Sequence, residues 1–184
     1  MRIIFLNCWY AKVGKAFFDF IKENSFNTDI FCFQEINPGL FEKLSVLLPD
    51  YLGYSDSDNK LELLGNIYTQ AIFVKKQLKV LASGKIDLYR QIFNDVGFMQ
   101  FLELKVKDRR ISIANIHGKA KPGHKLDTPA RLGQCRKIIN FMKNKAGLKI
   151  VGGDFNLLPD TTSIKLFEKA GYRNLIKEFG IKNT

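Results

Sequence analysis

The stretch "VGGDFNLLPD", residues 151–160, changes abruptly from apolar to polar residues. The apolar run at 148–151 is typical of a short buried strand, yet two glycines and then Asp154, Phe155 and Asn156 follow it at once. The glycines allow close backbone approach and unusual φ/ψ values, and the amide two residues after the acid can face the same side. A core strand that ends on a carboxylate predicts a site at the carboxyl end of a sheet.

Three other predicted strands also change from apolar to polar residues where they end. Ile3–Leu6 leads to Asn7, the strand through Phe33 leads to Gln34 and Glu35, and Ile113–Ala114 leads to Asn115 and His117. Because a sheet holds strand ends rigidly while the loops beyond leave room for a ligand, these groups can converge on one pocket. Two carboxylates, four amides and an imidazole suit a hard cation such as Mg²⁺, which prefers oxygen ligands.

Each of these residues also has a purely structural interpretation when it is taken alone. Asn7 can cap a helix or brace a turn, Glu35 can be an exposed acid at a strand exit, and His117 can be a structural imidazole. The joint pattern of the strand ends, more than any single residue, favours a site.

The order of elements predicts one α/β domain over residues 1–184. A strand, a helix at "GKAFFDFIKEN" and a second strand make a βαβ start, and the segment from Tyr51 to His117 is mostly strand-like, which predicts a meander. After the basic loop "GKAKPGHKLD", Thr128 as N-cap and Pro129 at the first helical position mark the start of a helix.

Composition narrows the class of partner and compartment. The 29 Lys and Arg exceed the 18 Asp and Glu by 11, which favours anionic partners such as nucleic acid, although lysine-rich surfaces also serve solubility alone. The three cysteines show neither CxxC nor Cys/His pairing, so no disulfide framework or zinc site is indicated and a reducing cytoplasm fits. No apolar stretch is long enough for a secretory signal or a transmembrane segment.

Four motifs in order, "LNCW", "DIFCFQEI", "NIHG" and "VGGDFNLLPD", resemble the motif series of the endonuclease/exonuclease/phosphatase superfamily. This superfamily consists of metal-dependent phosphodiester and phosphomonoester hydrolases. The resemblance implies a four-layer α/β sandwich of two packed mixed or antiparallel sheets with outer helices. It also implies an active site at one end of the sandwich.

The resemblance assigns roles to the residues of these motifs. Glu35 would be the principal ligand of Mg²⁺, or of Mn²⁺ in its place, with Asn7 beside it in the metal shell. Asp154 would orient or deprotonate the attacking water, and Asn156 would support the phosphate or a metal-bound water. His117 would donate a hydrogen bond to a phosphate oxygen, with Asn115 as a supporting substrate contact.

A weaker part of the resemblance lies beyond the third motif. In "DTPARLGQ", Arg131 and Gln134 match a family feature and make Arg131 a candidate substrate contact, although a solvated helix face explains them as well. Lys119 and Lys121 of the basic loop are candidates for gripping phosphates, although such loops are often only mobile. Gly118 departs from the family, which places an apolar residue after the His, and so leaves the local loop path open.

A larger departure follows the fourth motif. The family carries a further strand with an Asp and a final strand with an Asp-His pair, and neither is found before Thr184. We therefore expect a domain without these C-terminal strands, with an unpaired sheet edge that favours a homodimer. The terminal strands come from another chain or a longer product, or else catalysis is lost.

Two function classes remain open: a Mg²⁺-dependent phosphoesterase, and a catalytically impaired module that binds phosphate or nucleic acid. The positive charge favours a polyanionic substrate, and Trp9, Tyr10 and Tyr68 are candidate base-stacking platforms, although aromatic residues are more commonly core.

Overall fold

The computed structural model describes residues 1–56, 69–89 and 97–182. Its strands are β1 Ile3–Asn7, β2 Ile30–Ile36, β3 Tyr51–Asp56, β4 Thr69–Lys75, β5 Lys79–Asp87, β6 Phe98–Val106, β7 Arg109–His117 and β8 Leu148–Asp154. Its helices are α1 Lys15–Ser25, α2 Pro38–Leu47, α3 Pro129–Lys143, α4 Thr162–Lys169 and α5 Leu175–Glu178. The stacking candidate Tyr68 lies outside the described residues.

The first sheet has the strand order β1-β2-β4-β3. β1 and β2 are parallel and are joined through α1, so the predicted βαβ start is present. β4 runs antiparallel to both of its neighbours, β2 and β3. Its residues Ala71–Val74 are apolar on both faces and fully buried, which explains an interior position in the sheet.

The second sheet has the order β5-β6-β7-β8. β5, β6 and β7 form an antiparallel meander, and β8 returns through α3 to lie parallel to β7. The prediction of one meander from Tyr51 to His117 was therefore wrong in part, because β3 and β4 pair within the first sheet. Strand propensity marks where strands form but carries no information about which sheet they join.

The fold has four layers: helices α1 and α2, the first sheet, the second sheet, and helices α3 and α4. Three apolar clusters fill the spaces between these layers. Phe31, Phe33 and Phe73 of the first sheet pack against α1 and α2. Ile30, Cys32, Ile72, Leu102 and Ile113 lie between the sheets, and Met99, Ile116, Cys135 and Ile138 lie between the second sheet and α3. Each fully buried side chain of this size contributes about 1.5–3 kcal/mol to stability. The two four-stranded sheets with helices outside them confirm the predicted four-layer α/β sandwich.

Capping residues fix where the helices begin. The Thr128 hydroxyl accepts a hydrogen bond from the Arg131 amide at 3.2 Å with Pro129 at the first helical position, as predicted. Asn37 caps α2 in the same way through the Leu40 amide, at 2.8 Å.

Among the described residues, no helix has the length and apolar character needed to cross a bilayer.

The two sheets approach closely where β1 faces β8. A Cβ atom placed on Gly152 would lie 2.6 Å from the Phe5 ring, so glycine is required for this contact. Buried polar side chains also join the sheets: Gln34 Nε2 donates to Asn115 Oδ1 at 2.6 Å, and Gln70 Nε2 donates to the Phe98 carbonyl at 2.8 Å. These contacts hold the carboxyl ends of both parallel pairs at one end of the sandwich.

Candidate active site

The candidate site lies at the carboxyl ends of β1, β2, β7 and β8. Asn7, Glu35, His117 and Asp154 are the polar groups that these strands deliver. Asn7 and Glu35 belong to the first sheet, whereas His117 and Asp154 are direct register partners in the second. The site therefore spans both sheets.

Asn7 joins the two carboxylates. Its Nδ2 donates to Glu35 Oε1 at 3.0 Å and to Asp154 Oδ2 at 3.0 Å. Its Oδ1 accepts a hydrogen bond from the Trp9 amide at 3.0 Å, which fixes the orientation of the side-chain amide. In this orientation Asn7 positions the carboxylates, and ligation of a metal through its oxygen would require the amide to turn.

Glu35 occupies a distorted backbone position. Its φ of 56° lies in the left-handed region, and the pairing of β2 with β4 shifts between Gln34 and Ile36. A bulge of this kind re-aims a side chain away from the regular alternation of the strand. The strain is typical of functional sites, where the surrounding structure holds an otherwise unfavourable conformation.

His117 lies beside Glu35, with its Nε2 3.6 Å from Glu35 Oε1. Both side chains retain part of their solvent exposure, so the pair faces the open end of the site. The next residue, Gly118, passes so close to Phe155 that an added Cβ would lie 2.3 Å from the Phe155 carbonyl oxygen. This crossing accounts for a glycine at the position where the resemblance led us to expect an apolar residue.

Asp154 is held by its neighbours along the chain. Its Oδ1 accepts from the Asn156 amide at 2.8 Å, and its carbonyl accepts from the Gly118 amide at 2.6 Å. The Asn156 side chain donates to the Gly118 carbonyl at 2.9 Å and accepts from Lys125 Nζ. Asn156 is thus a brace between two loops here, and its predicted role toward phosphate or water stays a prediction.

Asn115 is a correction to the expected substrate contacts. It is fully buried between the sheets, where it accepts from Gln34 and donates to the Phe33 carbonyl at 3.0 Å and, more weakly, to the Ala71 carbonyl at 3.4 Å. An amide in such a position satisfies buried backbone groups and cannot reach a ligand without breaking the sandwich. The signal that could have found this role is its position two residues before His117, inside an apolar strand.

Arg131 is a second correction. Its side chain is fully buried, and its five N–H groups all donate to backbone carbonyls at 2.6–3.0 Å. The acceptors are the carbonyls of Lys119, Ala120, Pro122, His124 and Leu126. Arg131 therefore organises residues 119–126 of the basic loop, and its guanidinium has no donor left for a substrate.

The basic loop carries the remaining candidate substrate contacts. Lys121 is exposed, and Lys119 is half-buried with its Nζ 4.6 Å from the centre of the Tyr89 ring. Gln134, on the same face of α3 as Arg131, accepts from the Lys119 amide at 3.0 Å and is also buried. The solvated helix face considered for Arg131 and Gln134 is thus not what the structure contains.

The donor set can be compared with the needs of a divalent cation. Within the described ranges, no three His, Cys, Asp or Glu side chains form a metal cluster. Glu35 and Asp154, however, each place a carboxylate oxygen 3.0 Å from Asn7 Nδ2, so the two acids lie close together. A hard cation bound between them would neutralise both of their negative charges. Such a set fits an ion that takes oxygen ligands and retains several waters, as Mg²⁺ does.

The thiol next to the site is not a nucleophile. Burial, together with the charge of Glu35, raises the pKa of the Cys8 thiol well above its usual range. Burial likewise raises the pKa of Cys135 to about 12. Cys8, Cys32 and Cys135 are all free and buried, so none of them takes part in the site chemistry.

Comparison with known proteins places the chain in a family. The model of the endonuclease/exonuclease/phosphatase family matches residues 5–183. The chain therefore belongs to this family. No curated protein matches the chain by sequence.

Solved structures of the same fold include two proteins in particular. D. rerio TDP2 humanized by 14 mutations has a TM-score of 0.69 at 16% identity, over 90% of this chain and 69% of that one. D. rerio TDP2 complexed with single-strand DNA product has a TM-score of 0.64 at 16% identity, over 92% and 64%. The human Nocturnin catalytic domain with bound sulfate has a TM-score of 0.67 at 21% identity, over 91% and 68%.

The chain covers only part of these proteins. It spans 48–69% of the length of the TDP2 structures from D. rerio and C. elegans. TM-scores of 0.61–0.69 show a shared fold with these structures, and at identities of 16–22% they show the fold alone. The shared four-layer architecture agrees with the sheets and helices described above.

Proposed function

We propose that this chain is a divalent-metal-dependent phosphoesterase that cleaves a phosphodiester by attack of water on phosphorus. The observation that carries the proposal is the Asn7 amide, which holds Glu35 and Asp154 at 3.0 Å on either side. Membership of the endonuclease/exonuclease/phosphatase family supports it, since this family consists of phosphate-ester hydrolases.

The positions of the site residues suit three roles: metal binding, activation of water and binding of the phosphate. Glu35, with Asn7 beside it, would hold Mg²⁺ or Mn²⁺; when bound, the cation neutralises phosphate charge and favours ionisation of water. Asp154 orients the attacking water and accepts its proton, and its own geometry is fixed by the Asn156 amide. As the new bond to phosphorus forms, the P–O bond to the leaving alcohol breaks, and the leaving oxygen takes up a proton from solvent water. His117 donates from Nε2 to a phosphate oxygen as negative charge develops there.

The substrate class that we propose is nucleic acid. The excess of 11 positive charges attracts polyanions, and Lys119 and Lys121 lie on the loop that follows His117. The fold neighbour D. rerio TDP2 has been captured with a single-strand DNA product, which supports the same class here.

The test combines metal binding with hydrolysis. We expect Glu35→Gln to weaken Mg²⁺ and Mn²⁺ binding in calorimetry by more than about 100-fold, because it removes the principal ligand charge. Asp154→Asn is expected to lower hydrolysis of a single-stranded oligonucleotide by about 10²–10⁴-fold, because it removes the proton acceptor.

Two matched variants control for charge and folding. Glu42→Gln alters an exposed acid of α2, and Asp108→Asn alters an exposed acid in the turn before β7, at the opposite end of that strand from His117. Both should match the unmodified chain. Full activity in Asp154→Asn would refute the proposed mechanism.

A binding module is the second candidate function. The side chain of Asn156 is occupied by Gly118 and Lys125, and Asn115 and Arg131 are buried, so fewer donors face a phosphate than the family roles require. A chain that binds single-stranded DNA with unchanged affinity in Glu35→Gln, and releases no product with either metal, would favour this function.

We also propose an oligomeric state, a homodimer that forms through the exposed sheet edges. β1 lies at the edge of the first sheet and all five of its residues are half-exposed, while β8 lies at the edge of the second sheet beside it. We propose that these two strands, the open edge, pair with a second copy of the chain. A cytoplasmic location and a single domain over 1–184 stay predictions; the free thiols support the former.

A further inference from the structure

We propose that Trp9 and Lys12 form a platform on which a base of single-stranded nucleic acid stacks beside the reacting phosphate. This inference rests on the proposed function and names the substrate feature that the same site recognises. Trp9 is the only tryptophan of the chain and its side chain is 57% exposed.

Exposure alone would not support a site, because single exposed apolar side chains are common on protein surfaces. The backbone that presents Trp9 distinguishes it. Trp9, Tyr10 and Ala11 have φ values of 42°, 54° and 56°, three consecutive residues in the left-handed region and none of them glycine. Strain of this kind persists only where surrounding contacts impose it, and it clusters at ligand sites.

The contacts that impose this turn come from the candidate active site itself. The Trp9 amide donates to Asn7 Oδ1, and the Cys8 amide donates to the Gln34 carbonyl at 2.9 Å, next to Glu35. The Ala11 amide closes the turn onto the Cys8 carbonyl at 2.7 Å. The side chain that holds both carboxylates thus also holds the backbone amide of Trp9, the residue that carries the indole.

Lys12 adds charge to this aromatic surface. Its Nζ lies 4.9 Å from the centre of the Trp9 ring and 5.9 Å from that of Tyr10. Because Trp9 is 57% exposed, we propose that a base stacks on the solvent-accessible part of the indole and that the Lys12 ammonium binds a neighbouring backbone phosphate. The pair therefore matches a ligand that alternates planar rings and phosphates.

Single strands fit this platform better than duplexes. Bases within a duplex are already stacked on one another, and exposing one to the indole would cost that stacking. In a single strand every base offers a free face, whatever its identity. Recognition by Trp9 is therefore expected to depend on the presence of a base and little on its sequence.

The sole tryptophan makes the test direct. Wild-type chain in EDTA is titrated with an eight-residue oligothymidylate and with an abasic eight-mer of equal phosphate number. We expect the base-bearing strand to quench tryptophan fluorescence and to bind about 5–150-fold more tightly than the abasic strand. Equal affinities with unchanged fluorescence would overturn the proposal.

Variants test the same point by anisotropy of labelled strands. Trp9→Ala should bring the two affinities together, and Trp9→Phe should restore part of the difference. Phe26→Ala, which removes an aromatic side chain that is 83% exposed at the end of α1, should leave the difference intact. A preference that survives in Trp9→Ala would contradict the inference.

These measurements do not depend on catalysis, because they are made without metal. A base-dependent quench in a chain that fails to hydrolyse DNA with Mg²⁺ or Mn²⁺ would support the platform and refute the hydrolase. Hydrolysis of base-bearing and abasic strands at equal efficiency, with equal binding, would do the reverse.

Discussion

A single buried arginine organises the loop that carries the candidate substrate lysines. Arg131 makes five hydrogen bonds to carbonyls of residues 119–126, and hydrogen bonds to charged groups contribute about 1.5–3 kcal/mol each. No shorter or less forked side chain can replace this set, because the guanidinium offers its donors in a fixed plane.

We expect Arg131→Lys to loosen this loop and to lower the free energy of unfolding by about 3 kcal/mol or more. Lysine keeps the charge but offers three donors from one atom instead of five from three. Urea unfolding measures the loss, and hydrogen exchange of the 119–126 amides should become faster. Arg136→Lys, exposed on the same helix, is the control; equal exchange in the two variants would contradict the assignment.

At the scale of elements, α4 is capped from a distant loop. Thr161, at its N-cap position, makes no side-chain capping bond; instead Asp127 accepts from the Thr162 amide at 2.8 Å and from the Ser163 amide and hydroxyl at 2.8 and 2.6 Å. Desolvation opposes the charge, but the hydrogen bonds from Ser163 and Thr162 outweigh it and lower the pKa of Asp127.

A lowered pKa makes this cap sensitive to acid. The stabilisation is fully present above the unfolded pKa, near 3.8, and is lost as the pH falls through the lower pKa of the folded state. We expect Asp127→Ala to cost about 0.5–2 kcal/mol of unfolding free energy at pH 7. In urea unfolding the difference from wild type should shrink below pH 4.

The exposed Asp160, near the start of α4, supplies the control for this series. Asp160→Ala should change the free energy of unfolding little at pH 7. A wild-type advantage over Asp127→Ala that stays constant down to pH 2 would show that charge plays no part in the cap.

The positions of most helices and strands were predictable from the sequence, whereas the pairing of the strands into sheets was not. Thr128-Pro129 marks the start of α3, and the apolar runs mark β1, β2, β7 and β8, because capping and periodicity are local properties. The assignment of β3 and β4 to the first sheet depends on long-range pairing, which no local pattern encodes.

The same limit applies to the site. Strand ends indicate that Asn7, Glu35 and Asp154 can meet, and the structure brings them together through one amide. The burial of Arg131 was not predictable, since an arginine on a helix is ordinarily solvated and here only a folded loop supplies acceptors. The left-handed turn at Trp9 was not predictable either, because no glycine marks it and the residue before it is held by a tertiary contact, the hydrogen bond from the Cys8 amide to the Gln34 carbonyl.

At the scale of the whole molecule, the proposed dimer depends on the open edge formed by β1 and β8. Leu148 begins β8 with 58% of its surface exposed, and β1 beside it is apolar and half-exposed. On the opposite side, Leu81 of edge strand β5 is 40% exposed. These two leucines allow the edges to be tested separately.

We expect light scattering to find a dimer that Leu148→Lys weakens and Leu81→Lys does not. A charge on an edge strand blocks pairing between sheets, and the effect should be confined to the edge that pairs. A chain that is monomeric at every concentration would refute the proposed dimer.

The hydrogen bonds of Asn7 run within the first sheet to Glu35 and across to the second sheet at Asp154. Because Glu35 and Asp154 belong to different sheets, their separation depends on how the two sheets pack, and the apolar layer around Cys32 and Ile113 is part of that packing. If the proposed hydrolysis takes place at this site, a methyl group gained or lost in that layer would change its rate without altering a residue of the site. The proposed activity would then decline on warming as the packing of this middle layer loosens, at temperatures below that of unfolding.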